Sequence, residues 1–395
     1  MSNAVFCTVG ERMGAEPASD PIVSVIIPVY NAGDHLTECL QSIAGQSIGF
    51  GHVEIIAVDD GSTDGSGALL DVWARRHPGR VRVVHQENSG APGGPRNRAI
   101  EMATGEYLFF ADPDDYLGAQ ALERLVAAAR RDGADVVLGR IKGVGRKAPV
   151  TPFRKNVQGG DVHTTRAVWS LTAHKLFRRS LVMEHGLRFA EGLRLAEEQV
   201  FVVAAYLLAR SISVVADYDC YYLVRREGAA HLTQQEPDPG PFYANVRAVL
   251  DLVAEHVPPG RKRDDLIYRW VVLEILGRFN EPFAGLPGDT QALHVRLAGR
   301  LLDDYASDEL IARLPPLARL RCLLIRQGLV EELAALTTLA PRPKPKPKPK
   351  PKPQPKPEHQ TKAAPAPQAH GSSRPAPRRR TTAATLRRMR RWLRR

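Results

Sequence analysis

Hydrophobic and polar positions switch between two periods along residues 21–235. VSVIIPV (Val23–Val29) is an unbroken apolar, β-branched run, as expected of a strand buried on both faces. Leu36, Cys39, Leu40 and Ile43 then fall at i, i+3, i+4 and i+7, one face of a helix. The alternation continues. EIIAVDD (residues 54–60) reads as a strand, 67–77 as a helix stopped by Pro78, and VRVVHQ (81–86) as a strand. Residues 95–102 read as a short helix with Pro95 in its first turn. YLFFADPDD (107–115) is a strand running into acids, 119–131 a helix and ADVVLG (134–139) a strand. A helix over 197–208 and two short strands near Val214 and Tyr221 complete the region. Strands alternating with helices predict βαβ units, hence an α/β fold on a mostly parallel sheet.

The pattern changes at residue 240. Residues 240–340 keep helical periodicity but have few β-branched runs, which predicts a small helical domain. PRPKPKPKPKPKPQPKP (341–357) follows, in which nearly every second residue lacks a backbone N–H. That excludes helix and sheet and leaves a polyproline II spacer of roughly 50 Å, at about 3.1 Å per residue. We read 341–380 as a Lys-Pro-rich linker. Residues 381–395 read as a basic amphipathic helix with Leu386, Met389, Trp392 and Leu393 on one face. Residues 1–20 read as a disordered leader without the basic start and apolar run of a signal peptide.

Charge sharpens this division. The chain of 395 residues has a formal net charge of +12, yet residues 341–395 hold 18 Lys and Arg against one acid. Residues 1–340 carry 37 basic and 42 acidic residues and are net −5. The basic character therefore belongs to the tail, which argues against a nucleic-acid surface on the body. Four dispersed cysteines form no CxxC or Cys/His cluster, so neither a zinc site nor a disulfide framework is indicated. The longest apolar stretch, residues 200–209, is too short to span a bilayer. These features predict a cytoplasmic protein that is soluble or lies on the membrane's inner face.

In open α/β sheets ligands bind outside the carboxyl ends of the strands. Four polar clusters follow successive strands here: Pro28-Val29-Tyr30-Asn31, Asp59-Asp60-Gly61-Ser62-Thr63-Asp64, Asn88-Ser89-Gly90 and Asp112-Pro113-Asp114-Asp115. Each alone reads equally as a turn or helix cap; four at one sheet edge read as a site. Three carboxylates within four residues repel one another unless a cation or hydrogen-bond donors intervene. Hard oxygen ligands suit Mn²⁺ or Mg²⁺, which bridge to substrate phosphates. No Walker A motif occurs, and no GxGxxG follows a strand, which argues against P-loop NTPases and dinucleotide oxidoreductases. Carboxylates, a metal and a diphosphate on a sheet without a P-loop point to a sugar nucleotide.

VSVIIPVYN, VDDGSTD, NSGAPGGPRNRAI, GEYLFFADPDD and AEEQVF, in this order, resemble the successive motifs of inverting family 2 glycosyltransferases with the Rossmann-like GT-A fold. The resemblance spans residues 22–233. Residues 174–189 and 220–233 resemble the subset that includes wall teichoic acid and capsular polysaccharide enzymes. It implies that Pro28, Tyr30, Asp59 and Asp60 hold uracil and ribose, that Asn88 and Arg96 frame the nucleotide-sugar, and that Asp112 contacts nucleoside or sugar. Asp114 would bind the Mn²⁺ or Mg²⁺ that bridges the diphosphate. The family has Glu-Asp with the Asp as general base; Glu197-Glu198 stands here, so Glu198 takes that role. Arg225, Arg226 and His231 are expected to contact the diphosphate or acceptor, whereas Lys175 and Trp169 are read as packing.

The resemblance implies a UDP-sugar donor and a glycan, lipid-linked or teichoic-acid-like acceptor. The cationic tail adds an anionic membrane surface as expected partner, with capture of the polymer itself, non-specific nucleic-acid binding or simple solvation as other readings; no specific nucleic-acid site is indicated, and an oligomer is left open. A second class of function stays open as well, a degenerate relative that binds nucleotide-sugar or glycopolymer without turnover.

Overall fold

The computed structural model describes residues 20–193, 196–225 and 238–339. The expected leader, the Lys-Pro linker and the basic helix lie outside them.

The first half follows the sequence pattern. Strands β1 (Val23–Val29), β2 (Val53–Asp59), β3 (Val81–His85) and β4 (Tyr107–Phe110) line up parallel in the order β3-β2-β1-β4. Every residue of β1, β2 and β4 is buried, as continuous apolar runs require. Helices α1 (His35–Ala44), α2 (Ser66–Arg76) and α3 (Gly93–Met102) connect them; α1 buries Leu36, Cys39, Leu40 and Ile43. One buried acid in this sheet is structural. Glu54 accepts hydrogen bonds from Ser24 Oγ at 2.5 Å and Thr104 N at 2.7 Å, and pairs with Arg82 at 2.6 Å. Burial alone would raise its pKa, but these donors hold it below the ordinary range.

The rest of the sheet is mixed. It continues through β8 (Leu176–Arg178), β6 (Val136–Val144) and β9 (Ile212–Val224) to the short β5 (Tyr116–Leu117), and β7 (Val157–Gly160) also pairs with β9. β8 is antiparallel to both β4 and β6, so the sheet is parallel only in blocks. Helices α4 (Ala121–Asp132), α5 (Arg179–Glu184) and α6 (Glu198–Leu208) pack on it. The two strands expected near Val214 and Tyr221 are one. β9 runs for 13 residues, parallel to β6, with register shifts around Arg140 that absorb the polar Asp217-Tyr218-Asp219 stretch. The bulge lets one strand carry Val214 in the core and Tyr221 beneath the loop that follows β4.

Residues 239–339 are helical: α7 (Pro239–His256), α8 (Arg261–Arg269), a π-type turn over Trp270–Ile275 and a 3₁₀ turn over Leu276–Arg278 come first. Then follow α9 (Glu281–Ala284), α10 (Gly288–Tyr305), α11 (Asp308–Ala312), α12 (Pro316–Arg326) and α13 (Val330–Leu339). They share one continuous apolar core and one compact unit with the sheet; Trp270 is fully buried, and α7 packs on α6. Cys39, Cys220 and Cys322 are buried free thiols. Among the described residues no helix is long and apolar enough to cross a membrane.

Candidate active site

At the carboxyl edge of β1, β2 and β4 lies a cleft of about 630 Å³. Pro28 and Tyr30 enter it from the end of β1, Asp60 from just after β2, Asn88 from the β3–α3 connection, Pro95 and Arg96 from the first turn of α3, and Asp112, Asp114 and Asp115 from the loop after β4. The start of α6 supplies Glu197 and Glu198.

The β2 turn is held by its own side chains. Asp59 is the last residue of β2, and successive strand residues point to opposite faces; it does not line the cleft. Its carboxylate accepts from Ser62 N at 3.0 Å and meets His85 Nδ1 at 2.9 Å. Asp60 does line it, fixed by Gln86 Nε2 at 2.6 Å, Ser89 N at 3.0 Å and Ser89 Oγ at 2.9 Å. The rest of DDGSTD braces the β1 loop. Ser62 Oγ accepts from Asn31 N at 3.0 Å, Asn31 Oδ1 from Thr63 N at 2.8 Å and Asp64 from Gly33 N at 2.8 Å. Gly61 sits at φ 78°, and a Cβ there would stand 2.9 Å from Asn88 N, so glycine lets this turn close against the β3 loop.

Arg96 organises the acids. Its guanidinium, 6% exposed, donates from Nη1 to Glu197 at 2.7 Å and from Nη2 to Asp112 at 2.8 Å, with Phe189 against its face. The other Asp112 oxygen meets His174 Nε2 at 3.0 Å, and His174 stacks on Tyr221 with ring centroids 4.1 Å apart. Tyr221 Oη accepts from Asp112 N at 2.9 Å. Burial would raise the pKa of Asp112, but His174 and Arg96 outweigh it and hold the carboxylate far below its ordinary value. Burial lowers that of His174 despite Asp112.

Two cleft acids are pushed the other way. Asp115, buried and facing Asp112, is raised to about 7 although Val224 N donates to it at 2.8 Å. Glu198 is raised to about 8 by desolvation and by Glu197. Nearby Lys175 is fully buried and lowered to about 7 by desolvation; its Nζ donates to Thr172 O and faces the Tyr206 ring. Asp112, Asp115 and His174 bring ligand atoms within 4.8 Å of one another, but both oxygens of Asp112 already serve Arg96 and His174. Asp114 is half-exposed on the cleft wall and outside that trio.

A model of the Glycosyl transferase family 2 domain matches residues 24–189, and one of the Glycosyl transferase TarS linker domain matches residues 239–337. The poly(ribitol-phosphate) beta-N-acetylglucosaminyltransferase TarP of Staphylococcus aureus is 30% identical over 236 residues, 58% of this chain and 72% of that protein. The chain belongs to glycosyl transferase family 2. Two longer relatives are the poly(ribitol-phosphate) beta-glucosyltransferase of Bacillus spizizenii, 40% identical over 232 residues, and TarS of S. aureus, 35% identical over 227. The matches cover 58% and 57% of this chain but only 36% and 39% of those proteins. The crystal structure of S. aureus TarS 1–349 in complex with UDP-GlcNAc superposes with a TM-score of 0.73 at 28% identity, over 80% of this chain and 90% of that one.

Of the residues expected from the family 2 motifs, Pro28, Tyr30, Asp60, Asn88, Arg96, Asp112, Asp114 and Glu198 line one cleft. Asp59 braces the turn behind it. Arg225 is exposed at the end of β9, its N–H bonded to Val144 O at 2.8 Å, and is not among the cleft residues. Arg226 and His231 lie outside the described residues. Trp169 lines a second cavity of about 440 Å³ with Arg166, Tyr268 and Arg313. The sequence did not single out His174, Arg146 or the Arg96 clamp on Glu197. A histidine opening HKLF was the one signal for the first; the clamp joins residues 101 positions apart and leaves no local trace.

Proposed function

We propose that the chain transfers a hexosyl or N-acetylhexosaminyl group from a UDP-sugar to a poly(ribitol phosphate)-like cell-wall polymer, with inversion at the anomeric carbon. One observation carries the reading: the ends of β1, β2 and β4 and the start of α6 converge on a single acid-lined cleft in a family 2 domain. The relatives named for poly(ribitol phosphate) and the neighbour solved with UDP-GlcNAc support the donor and acceptor classes. Glu198 takes the proton of the acceptor hydroxyl as its oxygen bonds to the anomeric carbon. The bond from that carbon to the diphosphate breaks, and UDP leaves. Arg96 holds Asp112 and Glu197 in place and favours the ionised form of Asp112. Asp114, an oxygen donor half-exposed on the cleft wall, would hold Mn²⁺ or Mg²⁺, whose charge stabilises the departing diphosphate.

Transfer from UDP-GlcNAc and UDP-glucose to poly(ribitol phosphate) tests the proposal, with Glu198→Gln as control and the anomeric configuration read by NMR. Turnover abolished in the control with inverted product supports it; retained configuration or an unaffected control overturns it. The raised pKa of Glu198 favours a second reading, a nucleotide-sugar binder without turnover, because a protonated carboxyl is no base. UDP binding with no turnover of either donor up to about pH 9 would select that reading. For the tail, we propose docking on an anionic membrane face, each basic residue adding about 1 kcal/mol. Loss of cosedimentation with phosphatidylglycerol vesicles after deletion of 341–395 is the expected result.

A further inference from the structure

The hydrogen bonds from the helical region to α6 fall on the two residues that flank the carboxylate pair. Asn245 of α7, 5% exposed, donates from Nδ2 to the carbonyl of Ala196 at 2.9 Å. Ala196 stands immediately before Glu197 and holds φ 63°, a left-handed conformation that costs a non-glycine residue on the order of 1 kcal/mol or more. Such a conformation persists only where its surroundings fix it. Gln199, immediately after Glu198, is buried and held at both ends of its amide. Its Oε1 accepts from Trp270 Nε1 at 3.0 Å, and its Nε2 donates to Glu274 at 3.2 Å. Glu274 also takes Arg269 Nη1 at 3.1 Å. Trp270 and Glu274 belong to the π-type turn, a rare geometry found mostly where function requires it.

A region that only filled out the core would meet α6 through apolar contacts along its length. Here Asn245 fixes the backbone entering the pair, and Trp270 with Glu274 fixes the side chain leaving it. The charged groups around Glu198 come from every side: Glu197 beside it, Arg96 from α3, Lys175 ahead of β8 and Arg269 from α8. We infer that the helical region is a positioning element of the active site, in which Asn245 and the Trp270–Gln199–Glu274 chain set the orientation of Glu197 and Glu198. This rests on the reading of Glu198 as general base.

The test is Asn245→Asp in the full chain, which keeps size and shape but removes the donor. Transfer to poly(ribitol phosphate) is followed with whichever of UDP-GlcNAc and UDP-glucose the wild type uses, and UDP affinity is measured by calorimetry. The expected result is kcat lower by roughly 10–100-fold, the cost of a misplaced catalytic group, with donor KM and UDP Kd within about twofold. Turnover within twofold of wild type overturns the inference, as does UDP affinity falling in step with kcat. Where Asn245→Asp does not fold, Trp270→Phe removes the indole donor but keeps an aromatic ring, and the same split is required. Glu198→Gln runs alongside. If it turns over like wild type, the base assignment fails and the positioning role with it; if it alone is inactive, the base stands and the positioning role falls.

Discussion

Arg96→Met tests the electrostatics of the cleft directly. Methionine keeps much of the volume and the contact with Phe189 but deletes the charge that joins Glu197 and Asp112. Removing one partner of a buried ion pair costs roughly 3–5 kcal/mol, because the other charge is left uncompensated. Glu197, 8% exposed, should bear most of this; Asp112, 31% exposed and still facing His174, should bear less. The variant should therefore lose about 3–5 kcal/mol near pH 7.5. The pH dependence gives a second, independent check. In the wild type, Asp112 titrates below its ordinary value of 3.8, so its contribution is present above that value and is lost as pH falls through the depressed folded pKa. Without Arg96 part of that depression is gone, so the variant gains on the wild type as pH drops below about 3.8. Urea unfolding of the full chain near pH 7.5 and near pH 3.5 measures both effects. A difference below about 1 kcal/mol at the higher pH, the range of a surface pair, would refute the clamp. So would a difference that fails to narrow at the lower pH.

Glu198→Gln should lower turnover by about 10²–10⁴-fold with UDP affinity unchanged, as read by steady-state kinetics and calorimetry. Because Glu198 is raised to about 8 and acts only when ionised, wild-type kcat/KM should climb from about pH 6, reach half its maximum near pH 8 and level off near pH 9. A folded pKa above the ordinary 4.5 means that stability is lost as pH rises through that window, so the Gln variant should gain on the wild type at alkaline pH in thermal unfolding. Gly93→Ala would put a Cβ 2.2 Å from Ala190 O, whereas at Gly94 the nearest atom is Ser89 Oγ at 3.6 Å. Denaturant unfolding should show the first costing roughly 1–3 kcal/mol and the second tolerated. Asp114→Ala should abolish the extra thermal shift that Mn²⁺ adds to UDP while leaving the metal-free shift, since only ligand bound to the folded state raises the midpoint.

Strand ends were legible because their signal is local. An apolar run followed by Asp, Asn, Ser and Gly marks β1, β2 and β4 and the cleft edge without reference to anything distant. Asp59 and Asp60 were not separable, since adjacent residues differ only in which face of the sheet they meet, and register settles that. The polar Asp217-Tyr218-Asp219 stretch read as a break between strands because a bulge and a turn share composition; pairing with β6 decides between them. The contacts of Arg96 with Glu197 and of His174 with Asp112 join residues 101 and 62 positions apart, so nothing nearby announces either. Asn245 looks like one more polar residue on a helix until α7 lies against the loop before α6.

The charge of the cleft explains why these acids are treated so differently. Six carboxylates line it against Arg96, Arg146 and His174. Fully ionised, they would repel one another at close range and would repel a diphosphate as well. The fold divides them. Asp60 is held by hydrogen-bond donors, Asp112 and Glu197 share one buried guanidinium, and Asp115 and Glu198 shift toward the protonated form. Asp115 and Glu198 are thus the acids whose protonation responds to what enters. Positive charge brought beside them would lower the pKa of both, so an acid kept neutral without it becomes a base with it. That coupling reconciles a resting Glu198 near 8 with a role in taking a proton, and it makes its orientation, set from the helical region, matter most in the loaded state.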